Sequence, residues 1–220
     1  MSSQLTETLC DEAELALAYT GPILRDALRI FLEFDQRLAR IVSATNEPML
    51  GQMRLAWWRD TLAMDVSDRP QGDAVLDALG ERWRGAEASL VALVDGWEAM
   101  LSEPPLAREA GLAFANGRAE GIAGLGKLWG ASAAVCDTIA AAARIWALAD
   151  AASNVAEDTE RETLLALARE LPAPAALPAP YRGVAVLAAL GARSVRAGGA
   201  PLMAGRGAAL VALRAGLLGR

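Results

Sequence analysis

There is no histidine among the 220 residues of this chain. A zinc site built on imidazole, a Ser-His-Asp triad and a histidine general base are therefore excluded. Cysteine is almost as scarce. Cys10 and Cys136 stand far apart with no CxxC spacing, the pattern of two free thiols in a reducing compartment. Aromatic residues supply only 5% of the chain, whereas apolar residues, chiefly Ala and Leu, supply 54%. Strands draw on Val, Ile, Thr and aromatics, so this balance predicts helices. Long hydrophobic runs are missing too. The most apolar stretch, 131–149, is interrupted by Asp137 and Arg144, and a spanning helix needs about 20 mostly apolar residues. The N-terminal segment 1–14 is acidic and has no apolar signal core. A cytoplasmic protein, with at most peripheral membrane contact, is the expectation. No GxSxG elbow or dinucleotide fingerprint occurs, and GLGKLWG at 124–130 is too short for a phosphate-cradling loop.

Acidic residues are absent after Glu170. Arg182, Arg193, Arg196, Arg206, Arg214 and Arg220 give the last 50 residues a formal +6, against −12 for the other 170. This basic segment, drawn as 183–220, either pairs with the acidic body or faces an anionic partner such as phospholipid headgroups or a diphosphate. Nucleic acid is not expected, because the whole chain is acidic and lacks interleaved aromatics.

The apolar spacing organises the rest. Pro22 suits a helix start, and Leu24, Ala27, Leu28, Phe31, Phe34, Leu38 and Ile41 then recur at steps of three and four. Thr45-Asn46-Glu47-Pro48 breaks that helix, and the next spans about 50–64. Further helices are predicted over 74–83, 87–101, 106–130, 131–154, 160–170, 184–197 and 204–218, with loops at 65–73 and 102–105. Pro172 to Pro180 forms an extended connector. Gly111, Gly117, Gly121, Gly124 and Gly126 lie within one helical pattern, which calls for a kink or a close helix approach to offset their low propensity. No segment alternates with period two. The prediction is an all-α, single-domain bundle over 1–220.

Residues 31–59, FLEFDQRLARIVSATNEPMLGQMRLAWWR, place a helix before a loop and a second helix carrying Met49-Leu50-Gly51 and Arg54-Leu55-Ala56-Trp57-Trp58-Arg59. This arrangement resembles the squalene/phytoene synthase family of head-to-head prenyl transferases. Val94-Asp95-Gly96-Trp97-Glu98 and Arg118-Ala119-Glu120-Gly121-Ile122-Ala123 resemble other family segments more loosely. The resemblance implies a bundle of the isoprenoid-synthase type around a central apolar cavity. It also implies two Asp-rich clusters holding magnesium and a substrate diphosphate, since a departing pyrophosphate needs its charge neutralised.

The clusters are depleted here. The first, Asp-Asp-x-x-Asp in the family, corresponds to Ala39-Arg40-Ile41-Val42-Ser43. On the face Asp35, Ala39, Ser43 only Asp35 is acidic. Arg40 could bind a phosphate or serve as an exposed ion-pair residue. The second cluster, Arg-Asp-Val-x-Glu-Asp in the family, matches Ser153-Asn154-Val155-Ala156-Glu157-Asp158, with Glu157 and Asp158 retained and Asn154 in place of an aspartate. Either Asn154, Glu157 and Asp158 are metal ligands, or Asn154 ends one helix and the acids begin the next. The candidate substrate-binding residues are Asp35, Arg54, Trp57, Trp58 and Arg59; the tryptophans line a lipid cavity or pack in the core. No catalytic residue is assigned. The chain is most similar to a degenerate branch that includes a mitochondrial complex I assembly factor. The expectation is a pseudoenzyme that holds an isoprenoid or other lipid, or works through a protein partner, with no cofactor. The alternative is an active prenyl transferase, magnesium-dependent, using Asp35, Glu157 and Asp158.

Overall fold

A computed structural model describes residues 8–44 and 47–220. Among the described residues there are ten α-helices, two 3-10 turns and no strand, as the composition predicts. The acidic segment 1–14 runs into a short helix, α1 (Asp11–Ala18), whose Asp11, Glu12 and Glu14 sit in its first turn, where the helix dipole favours them. Its residues 1–7 lie outside the described ones. α2 (Pro22–Ser43) starts at Pro22 as expected, and buries Leu24, Ala27, Leu28, Phe31, Phe34 and Leu38. Residues 45 and 46 of the expected break are likewise outside the described set. α3 (Pro48–Ala63) follows, then a 3-10 turn at Val66–Asp68 within the predicted loop, and α4 (Ala74–Arg82), capped by the Asp73 carboxylate.

The middle of the chain supplies the packing layers. α5 (Glu87–Ala99) and α6 (Arg108–Leu128) lie against one another, and α6 packs on α7 (Ala133–Asn154). The glycines of α6 serve close approach: a Cβ on Gly117 would overlap the Ala92 carbonyl oxygen and lie 2.7 Å from the Gly96 Cα. α7 is alanine-rich on its buried face and also contacts α8 (Asp158–Glu170) and α9 (Arg182–Arg196). α9 is itself largely buried, so the first half of the basic segment is part of the core. α10 (Gly207–Leu218) packs on α9, and Leu177 of the connector donates its N–H to the Gly219 carbonyl at 2.8 Å.

One contiguous hydrophobic cluster runs from Leu9 to Ala215. Trp83 is fully buried, stacks on Phe31 with ring centroids 5.6 Å apart, and donates its indole N–H to the Ala27 carbonyl at 3.0 Å. These contacts tie α4 to α2. Among the described residues no helix is long and apolar enough to cross a membrane.

Candidate functional site

Three helices each place one charged residue in the middle of an otherwise apolar stripe. On α2 it is Asp35, between Phe31 and Leu38; on α6 it is Arg118, one turn from Phe114 and Ile122; on α7 it is Asp150, one turn from Trp146. Packing of the helices brings the three together. Arg118 Nε donates to both Asp35 oxygens at 3.0 Å, and its Nη2 donates to Asp35 Oδ2 at 2.5 Å. Arg118 Nη1 donates to Asp150 Oδ2 at 2.6 Å. Trp97 Nε1–H adds a fifth bond, to Asp35 Oδ1 at 2.8 Å. The guanidinium carbon lies 3.7 Å from the centroid of the Trp146 ring and 5.6 Å from those of Trp97 and Phe114, a cation–π cage with low local polarity.

Asp35 and Arg118 are both buried. Burial pushes the Asp35 carboxyl above its ordinary pKa; Arg118 and Trp97 pull against this, and the Asp150 charge adds to it. Burial by itself would lower the Arg118 pKa, but the Asp35 and Asp150 carboxylates more than reverse that and hold the guanidinium protonated. With both acids ionised the triad carries a net −1.

Above this triad opens a cavity of about 410 Å3. Its walls come from Leu9 and Cys10 ahead of α1, Glu12 and Ala13 in α1, Leu32, Ala39, Arg40 and Val42 in α2, and Ala151, Asn154 and the following Val155 at the end of α7. The volume lies within the range of small-molecule sites, about 300–1,000 Å3. Most of the lining is apolar, with Gln36, Arg40, Ser43 and Asn154 adding polar groups and the charged triad at the floor.

The residues anticipated from sequence divide sharply. Asp35 and Asn154 line the cavity; Arg54, Trp57, Trp58, Arg59, Glu157 and Asp158 do not. Arg59 bonds Asp95 Oδ1 at 2.6 Å and also pairs with Glu98, tying α3 to α5. Trp58 is buried against Phe34, with ring centroids 4.9 Å apart, while Trp57 and Arg54 are exposed on the outer side of α3. Asn154 and Asp158 belong to different helices. α7 ends at Asn154 and α8 begins at Asp158, with Val155 extended between them. Asn154 Nδ2 folds back onto the Asp150 carbonyl at 2.9 Å. Glu157 precedes the first turn of α8, and Asp158 opens it and pairs with Arg161.

Arg118 and Asp150 were the members that sequence reasoning missed. Their signal was present: each is a lone charge within a buried helical stripe.

A magnesium site of the Asp-rich kind does not fit these positions. Both Asp35 oxygens and Asp150 Oδ2 accept from the guanidinium, Asp150 Oδ1 accepts from Asn154 Nδ2, and Glu157 and Asp158 lie outside the cavity. Among the described residues no three or more Cys, Asp or Glu side chains converge as a metal-binding group. No family model, curated protein or solved structure matches the chain.

Proposed function

We propose that this chain is a catalytically degenerate protein of the squalene/phytoene synthase type, one whose cup holds an isoprenoid or other lipid and which acts through partners instead of by turnover. One observation carries the reading: the buried Arg118 guanidinium is clamped between Asp35 and Asp150 at the floor of the cavity. A prenyl transferase of this type needs mobile divalent cations there, gripping the leaving diphosphate through carboxylates. Here the aligned positions hold Ala39, Ser43 and Asn154, and the carboxylates at the floor, Asp35 and Asp150, are paired with a covalently tethered cation. A diphosphate would meet a triad of net −1 at the floor, while Glu12 and Arg40 elsewhere in the lining offset one another. The apolar walls remain suited to a hydrocarbon chain.

The reading has a direct test in two arms. Purified protein incubated with farnesyl or geranylgeranyl diphosphate, magnesium and NADPH should release no pyrophosphate and form no squalene- or phytoene-type product. Turnover abolished by Asp158→Ala would establish the active transferase instead. In the second arm, organic extracts of the purified protein are examined by mass spectrometry. An isoprenoid or other lipid should be present, and lost from an Ala39→Trp variant in which the new ring fills the cavity. An empty extract from the parent protein would leave a purely structural subunit.

A further inference from the structure

The arginine-rich end of the chain does not neutralise the acidic body. Among the described residues every ion pair lies at or before Glu170, and none includes Arg182, Arg193, Arg196, Arg206, Arg214 or Arg220. Arg193 and Arg196 donate to the Ala204 and Ala192 carbonyls. Arg206, Arg214 and Arg220 are exposed.

These arginines flank an apolar ridge. α10 buries Ala208, Ala212, Ala215 and Gly216, and turns Leu210 (69% exposed), Leu213, Leu217 and Leu218 outward. Helical spacing puts Arg206, Leu210, Leu213, Arg214 and Leu217 on one face. Beside the ridge runs a groove of about 360 Å3, walled by alanines of α7 and α9, with Arg196, Arg214 and Arg220 in its lining and no carboxylate side chain.

Leucine side chains left in water forfeit burial, and unpaired arginines seek anions; one surface satisfies both. We propose that the outer face of α10 and the adjoining groove form a docking surface for an anionic lipid bilayer. The leucines enter the acyl boundary, and Arg196, Arg206, Arg214 and Arg220 reach phosphate headgroups along their apolar stems. An acidic protein partner fits less well. Protein hot spots favour Trp, Tyr and Arg in packed pockets and are poor in Leu, whereas this ridge is aliphatic and aromatic-free. The surface is separate from the cup, so the proposal stands whether or not the cup holds a lipid.

Vesicle flotation of the full chain tests it. The protein should float with phosphatidylcholine vesicles containing phosphatidylglycerol, and not with pure phosphatidylcholine. Near such a surface each arginine contributes about fivefold to binding, so the triple variant R206Q/R214Q/R220Q should partition roughly a hundredfold less. Leu210→Ser with Leu217→Ser should weaken binding at least about tenfold, through lost apolar burial. All five positions are exposed, so the variants' circular dichroism and melting should match the parent. Equal flotation with neutral vesicles, unchanged flotation of the triple variant, or no flotation at all overturns the proposal. Capture of an acidic protein without vesicle binding would also overturn it.

Discussion

Replacing Arg118 by leucine should lower the free energy of unfolding by about 3–5 kcal/mol at pH 7, because removing one partner strands a buried charge. Asp35 and Asp150 would then face each other across an apolar gap, and Trp97 would keep only its bond to Asp35. The loss should depend on pH in a fixed direction. Without the guanidinium, the Asp35 carboxyl titrates above its unfolded value of about 3.9 in the folded protein, and burial already pushes it that way in the parent. A group whose folded pKa is raised takes up a proton on folding. The variant therefore regains stability as the pH falls through the raised folded pKa toward the unfolded value. Urea denaturation at pH 7 and pH 5 should show the gap to the parent narrowing with acid. Combining Arg118→Leu with Asp35→Leu and Asp150→Leu should restore most of the loss. The shortfall should be about 1–3 kcal/mol, from the Trp97 N–H left without its acceptor. A pH-independent gap, or one below about 1 kcal/mol at pH 7, would mean that the triad is hydrated rather than sealed.

Such a triad was only partly legible in the chain. Helix identity was carried by spacing: α2 announced itself through Pro22 and the run from Leu24 to Leu38, and it formed there. α1 was missed because Asp11, Glu12 and Glu14 outweigh the small buried set Ala13, Ala16 and Leu17. The start of α8 came two residues earlier than expected, since Asp158 reads equally as the end of a metal motif and as a first-turn acid. α3 misled in another way. It carries apolar residues on both sides, burying Gly51, Leu55, Trp58 and Leu62 while exposing Met49, Met53 and Trp57. Its pattern therefore could not say which tryptophan faces inward. In the site, Asp35 stood out as the one acid on its line, but its partners lie 83 residues away at Arg118 and beyond at Asp150. A single sequence does not encode that pairing locally. What it does contain is one charge in each of three apolar stripes, and a buried charge requires a partner.

Gly117→Ala should destabilise the protein by about 2–3 kcal/mol, the upper part of the range for overpacking. In an open helix the same change would stabilise by about 1 kcal/mol, because glycine has the lower helix propensity. The sign is therefore diagnostic. At Gly117 the added methyl meets backbone on both counts, the Ala92 carbonyl and the Gly96 Cα, and a Cβ at Gly96 would in turn lie 3.1 Å from the Gly117 Cα. Neither neighbour has a rotamer to change, so α5 and α6 must part. Those two helices carry Trp97, Phe114 and Arg118, so their separation also displaces the guanidinium from Asp35. Gly207→Ala supplies the contrast. A Cβ there comes no nearer than 3.7 Å to the Arg193 side chain, and melting should be unchanged or slightly raised. Thermal denaturation of both variants decides the matter. If Gly117→Ala melts at or above the parent temperature, α5 and α6 can part at no cost. The contact at Gly96 would then have no share in holding Arg118 between its two carboxylates.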